Sequence, residues 1–398
     1  MTDFYAKHII EALRSGVPSR AVGAYFSEAR PDMTRRINAK LEGVTESGRS
    51  DGMIFLGRYG EGKTHLLNSV FSHATNANMV VSLIPLGKET PIDKIYRLYP
   101  KLMANTWLPK SSQPGITKIF EEMTQNSSLA AEMSAYAAKE LETDKLYYLL
   151  RAYLGTNSDD EKYMFLSDFE GDFAPPAMIK KSYKRIYGST VKFNVPFSKT
   201  KHAMDYFYFM SHLFRLKGYD GWVILFDEAE LIGRFGKKAR AKSYLEMSRF
   251  LKPDPRLTDT FSLFAFSASY IEDVIDKKQD IPNVAELFSE DNDQLAAANY
   301  TITQIEKAPE LAPLSREEIE QILLSLQDFH GKAYDWTPSI SKDTLYSVAS
   351  GGGYLLRTKI RIAIEFLDQL YQYGEAGDTK ITGLGKESFE EDVPEIPE

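Results

Sequence analysis

A glycine loop ending in lysine and threonine constrains this 398-residue chain more than any other feature. Residues 57–64 read Gly57-Arg58-Tyr59-Gly60-Glu61-Gly62-Lys63-Thr64, which fits G-x-x-x-x-G-K-[ST] at every fixed position. The flanks agree. Met53-Ile54-Phe55-Leu56 reads as a buried strand, and His65-Leu66-Leu67-Asn68-Ser69-Val70-Phe71 has the apolar spacing of a helix. In that setting the glycines let backbone N–H groups close around a polyphosphate, and the helix N-terminus adds a favourable dipole. Gly57, Tyr59, Gly60, Glu61, Gly62, Lys63, Thr64 and His65 are therefore the candidate ATP-binding residues. Lys63 is expected to reach the β- and γ-phosphates and Thr64 to ligate Mg²⁺, while His65 packs behind the loop.

A second motif turns a binding site into a hydrolytic one. Trp222-Val223-Ile224-Leu225-Phe226 is an apolar run that ends in Asp227-Glu228-Ala229-Glu230. Five consecutive apolar residues predict a central parallel strand covered on both faces. Carboxylates at its C-terminal edge then lie where α/β folds bind ligands. Asp227 is expected to hold the Mg²⁺ shell, and Glu228 to orient and deprotonate the attacking water.

Between Thr64 and Asp227 the chain runs for roughly 160 residues, far more than a short βαβ crossover needs. The second strand is expected at 79–86, and residues about 91–215 must hold an insertion. Helical spacing covers Ile116–Met123, Leu129–Leu154 and Met204–Lys217, Gly171–Pro176 reads as a loop, and Val191–Val195 fits strand or turn. Beyond the acidic strand a helix is expected at about 239–251. Strands are expected at 261–269, ending in Ser267 and Ser269, and at 299–305. From Leu314 the pattern is helical, opened by the capping box Ser315-Arg316-Glu317-Glu318. The expected units are a helical leader (1–50), a nucleotide-binding core (51–313) with its helical insertion, a helical lid (314–375) and an acidic, disordered tail (376–398).

Composition limits the setting. With no cysteine, disulfides, thiolate catalysis and cysteine-ligated zinc are excluded, and a reducing compartment is expected. No stretch approaches the roughly 18 apolar residues of a membrane span, and the first residues do not have the layout of a signal peptide. The expectation is a cytoplasmic protein without membrane contact. A net charge of −8 leaves DNA binding to local patches. Lys237, Lys238, Arg240 and Lys242 form one such candidate; the mixed cations and tyrosines of 180–187 read instead as an amphipathic surface.

The order of these parts resembles AAA+ ATPases, and most of all their origin-recognition-like branch. The resemblance implies a P-loop α/β fold with a parallel sheet flanked by helices, a long helical insertion and a C-terminal helical lid. It implies that Ser267 or Ser269 senses the γ-phosphate. It also implies that Arg357, which follows Gly351-Gly352-Gly353-Tyr354-Leu355-Leu356, reaches the phosphates from the lid. Members work as oligomers with an arginine supplied across the subunit boundary. Arg234, Arg240, Arg249 and Arg256 are the candidates here.

A narrower resemblance covers most of the chain. Ile9-Ile10-Glu11-Ala12-Leu13-Arg14-Ser15-Gly16-Val17-Pro18, Tyr59-Gly60 within the loop, Glu89-Thr90-Pro91, Ile95-Tyr96 and Phe226-Asp227-Glu228-Ala229-Glu230 together look like the small D-type ATP-binding proteins of bacteriophage-exclusion (BREX) clusters. This implies an accessory ATPase of an anti-phage system, forming a homo-oligomer and acting with other defence proteins or DNA. The competing readings are a slowly hydrolysing, nucleotide-gated scaffold and a transposition or replication-loader helper built on the same core.

Overall fold

Among the described residues, apolar side chains at helical spacing create the two helices ahead of the first strand. Helix α1 (Asp3–Ser15) buries Ala6, Ile9 and Ile10. Helix α2 (Pro31–Ser47) has Pro31 in its first turn, where a missing N–H costs nothing, buries Met33, Ile37, Leu41 and Val44, and stops at left-handed Gly48. The computed structural model describes residues 3–15, 30–351 and 355–375. Pro18, Val22, Tyr25, Phe26, Gly352, Gly353, Tyr354 and the acidic tail 376–398 lie outside them.

Strand β1 (Asp51–Gly57), helix α3 (Lys63–Asn76) and strand β2 (Val80–Pro85) follow. The insertion then carries α4 (Ile95–Ala104), a two-residue β3 (Thr106–Trp107), α5 (Thr117–Glu121), α6 (Ser128–Lys139), α7 (Lys145–Gly155), α8 (Asp159–Ser167), α9 (Pro176–Tyr187) and α10 (Lys199–Leu216). The single helix expected at 129–154 is two. The chain breaks between them, where Asp205 of α10 accepts the Thr143 N–H at 2.9 Å. The expected loop at 171–176 begins inside a π-helical turn, Asp168–Asp172, and 191–195 forms no strand.

Strand β4 (Trp222–Asp227), a 3₁₀ turn (Ala229–Arg234), α11 (Lys237–Leu251), β5 (Thr260–Ser267), α12 (Asp280–Leu287) and α13 (Asn292–Glu306) complete the core. The strand expected at 299–305 is wrong, because that segment is the second half of α13. Asp291 caps the helix by accepting the Gln294 N–H, and Ala298, Thr301, Ile302 and Ile305 are buried at i, i+3, i+4 and i+7. The edge pairing comes a few residues later. Leu56 donates to the Pro309 carbonyl at 2.9 Å and accepts from Leu311 at 2.8 Å.

The sheet order is β1-β5-β4-β2-β3, parallel except for β3. Period-two alternation sends Phe55, Val81, Val223, Leu225, Leu263 and Ala265 to a face covered by α2 and α3. Ile54, Ile84, Ile224, Phe226, Phe264 and Phe266 face the opposite core, which is continuous with the insertion. Every residue of β4 and β5 is buried, as continuous apolar strands require.

Helices α14 (Arg316–Tyr334), α15 (Lys342–Ser350) and α16 (Leu356–Tyr373) form the C-terminal bundle. Ser315 opens α14 with the expected capping box. Ala6, Ile9 and Ile10 of α1 pack into this bundle beside Leu323, Leu326 and Ile364. Arg14 ties the end of α1 to Asp368 at 2.8 Å. The stretch expected as one leader is thus divided: α1 lies on the lid, and α2 on the sheet.

Candidate active site

The glycine loop connects β1 to α3 at the carboxyl edge of the sheet. Gly60 (φ 78°) and Gly62 (φ 92°) occupy the left-handed region that side chains disfavour. Gly57 is needed for proximity instead, since a Cβ there would lie 3.0 Å from both Lys63 Cγ and Leu311 Cδ1. Within the loop, Glu61 accepts the Arg58 N–H at 2.9 Å. Tyr59 and His65 are half-buried, and the His65 Cβ lies beside Gly62.

Lys63 and Thr64 open α3 and meet the end of β4. Lys63 Nζ donates to the Gly57 carbonyl at 3.2 Å and pairs with Glu230 at 3.3 Å. The Thr64 hydroxyl is hydrogen-bonded to Asp227, which also accepts the Glu228 N–H at 2.9 Å. Burial pushes the Asp227 carboxyl above its ordinary range, against the pull of the Thr64 and Glu228 bonds and of Lys63. Glu228 then turns sharply. Its backbone is left-handed (φ 50°), a conformation costing a non-glycine residue about 1–2 kcal/mol, and its side chain is exposed. Two neighbouring carboxylates are thereby separated, one buried against the loop and one facing solvent.

The other expected residues divide unevenly. Ser267 is buried at the end of β5, in register with Gly57, and the next residue, Ala268, donates its N–H to the Gly57 carbonyl at 3.2 Å. Ser269 is exposed and bonds to Asp273; its hydroxyl is 3.3 Å from that of Ser267. The lid reaches the loop through Leu355, whose side chain would meet a Cβ at Gly60 at 3.2 Å. Arg357, half-buried, follows in the first turn of α16.

Arg240 is a correction. Its guanidinium is 2% exposed, pairs with Asp280 at 2.8 Å and donates to the Phe235 carbonyl at 2.6 Å. It is committed inside the fold, so neither a DNA contact nor a finger across a subunit boundary can use it. Lys237 pairs with Glu286 at 2.6 Å, while Lys238 and Lys242 are exposed. Arg249 pairs with Glu246, and Arg256 with Asp254. Arg234 ends the 3₁₀ turn after Glu228.

Two site residues escaped the reading of the sequence. Glu230 stood in the acidic motif with no role assigned, although its place three residues after Asp227 was the available signal. Arg30 donates to the Glu61 carbonyl at 2.7 Å and also to the Ala312 carbonyl, tying the loop to the entry of the lid. Nothing in the local sequence marks that contact.

Among the described residues no helix is long and apolar enough to cross a membrane, and no cluster of His, Cys, Asp and Glu has the make-up of a separate metal site. The sequence profile of the family described as "BREX system ATP-binding protein BrxC/D" matches residues 3–148 and 150–377. A crystal structure of Cdc6p from Pyrobaculum aerophilum aligns over 88% of this chain and 64% of its own length, at 11% identity and a TM-score of 0.38. This chain therefore spans less than two thirds of that protein. No curated protein matches it. With the profile covering nearly the whole chain, the chain belongs to the BREX ATP-binding family.

Proposed function

We propose that this member of the BREX ATP-binding family is a Mg²⁺-dependent ATPase working with other proteins of the defence system. One observation carries the reading: the glycine loop and the acidic strand meet through the Thr64–Asp227 hydrogen bond, with Glu228 exposed beside it. A hydroxyl and a carboxylate are hard oxygen donors, the set that suits Mg²⁺. Thr64 and Asp227 would hold the ion. When bound, it would neutralise charge developing on the transferred phosphoryl group.

The residues then have distinct tasks. The loop backbone and the α3 N-terminus bind the polyphosphate, and Lys63 supplies a cation to its β- and γ-groups. Glu228 orients water and takes its proton. Ser267, next to the first glycine of the loop, contacts the γ-phosphate. Arg357 approaches from the lid, where Leu355, the residue that precedes α16, already rests on Gly60. Assembly with further copies would supply a finger from Arg234, Arg249 or Arg256. Lys238 and Lys242, with Lys237, offer a modest contact to a DNA backbone.

Glu228→Gln tests the reading, because the amide keeps the shape and cannot accept the proton. Calorimetry is expected to show unchanged Mg²⁺–ATP binding, while turnover falls about 10²- to 10⁴-fold. Turnover should be compared for the protein alone, with DNA and with partner proteins. Undiminished turnover in the variant removes Glu228 from the mechanism. Turnover indifferent to DNA removes the DNA contact.

A further inference from the structure

Asp227 and Glu230 lie three residues apart across a short turn, and each holds one of the two residues that open α3. Asp227 is bonded to Thr64, and Glu230 is paired with Lys63. The intervening Glu228 points the other way, into solvent. The Lys63–Glu230 pair is nearly dry, with side chains 9% and 5% exposed. We propose that Glu230 is a positioning residue that competes with the polyphosphate for the Lys63 ammonium and so sets the affinity for ATP.

The inference rests on the nucleotide-site reading above and adds a sign to it. A carboxylate and a phosphate are both anions that seek one ammonium at one helix N-terminus. Phosphate binding must therefore repay the loss or weakening of the Lys63–Glu230 pair. Removing the carboxylate takes away the nearer of the two anions beside Lys63 and leaves Asp227 and the Gly57 carbonyl to offset a cation that is nearly out of water, a costlier state for the charge. An incoming anion relieves that cost, so neutralising Glu230 strengthens binding. An ordinary loss of packing would weaken it.

The same logic grades the ligands. Lys63 reaches the β- and γ-groups, so the gain is largest for ATP, smaller for ADP and absent for AMP. It also predicts movement. Glu230 is anchored in the 3₁₀ turn Ala229–Arg234, whose Gly233 carbonyl accepts Lys278 at 3.0 Å. Loss of the Lys63 contact on ATP binding removes one tether of that turn. Its amides should then exchange faster with ATP than with AMP.

Calorimetric titrations of the full chain with ATP, ADP and AMP, without hydrolysis being measured, decide the matter. Glu230→Gln is expected to bind ATP about tenfold tighter and AMP unchanged. Glu230→Asp, which keeps the charge but shortens the reach, is expected to show a smaller gain and serves if the glutamine variant folds poorly. Lys63→Ala combined with Glu230→Gln should lose the gain. If wild type binds ATP while Glu230→Gln binds it equally or more weakly, the competition is overturned and the nucleotide site stands. If wild type binds no ATP, both fall. A gain that includes AMP overturns the assignment to Lys63.

Discussion

Lys63 and Glu230 lie 3.3 Å apart at the carboxyl edge of the sheet, and Lys145 and Asp168 lie 2.7 Å apart inside the helical insertion. The chemistry of the two pairs is the same; their surroundings are not. Lys63 opens a helix directly after the glycine loop, among backbone N–H donors. Lys145 is fully buried beneath the rings of Phe197, Tyr206 and Phe173, 4.2, 5.6 and 5.8 Å from the nitrogen. Asp168 in turn accepts the Tyr206 hydroxyl at 2.6 Å. Burial pushes the Asp168 carboxyl up and the Lys145 ammonium down. This pair begins the π-helical turn, whose Gly171 is so close to α4 that a Cβ would lie 2.8 Å from Tyr99. The second pair therefore organises the insertion against the element that grows out of the β2 loop. Backbone donors adjoin the first pair and suit it to the binding proposed above. Rings seal the second, and that pair is architecture.

The largest expected effect separates the two pairs by stability and binding. Lys145→Met leaves Asp168 buried without its cation and should cost about 3–5 kcal/mol, with ATP affinity unchanged. Denaturant midpoints and ATP titrations on the same preparation check this. A variant as stable as wild type, or one with altered ATP affinity, breaks the comparison.

A smaller effect appears as pH dependence. Because the fold raises the Asp168 carboxyl above its unfolded value of 3.8, the folded state binds the extra proton between those two values. Stability from this group is present at acid pH and is lost as pH rises through the raised value, by at most about 1.4 kcal/mol per pH unit. Asp168→Asn should flatten that slope in thermal melts across the acid range. A slope unchanged by the substitution would show that other groups carry it.

The smallest effect concerns an exposed pair in the same insertion. Arg185 bonds to Glu161 on the surface, with 58% of its side chain exposed. Arg185→Gln should cost no more than about 1 kcal/mol, and less in high salt. A loss comparable to that of Lys145→Met would mean that burial is not what distinguishes the pairs.

How much could be read from the sequence follows from how local each feature is. The run from Met53 to Phe71 and the run from Trp222 to Glu230 carry their structure within a few residues, and both stand where expected. The capping box at Ser315 is equally local. The segment 299–305 misled because Tyr300, Ile302 and its neighbours also suit a strand; burial along one helical stripe and the Asp291 cap decided for helix. Arg240 looked like one cation of a surface patch. Its partner, Asp280, is 40 positions away, so its burial could not be seen in the local pattern. Separation along the chain also hid Arg30, which grips a loop carbonyl 31 positions on.

By itself the sequence determined the chemistry offered at the sheet edge: a glycine loop with its lysine and threonine, and a strand that ends in acids. Those depend on residue type and short-range geometry. Only the tertiary structure decided which acid faces which partner. Asp227 meets Thr64, Glu230 meets Lys63, and Glu228 is turned outward by a left-handed backbone. It also decided that α1 belongs to the lid and that Leu355 rests on Gly60. Such choices are settled by which surfaces exclude water together, and that depends on contacts between residues far apart in the chain.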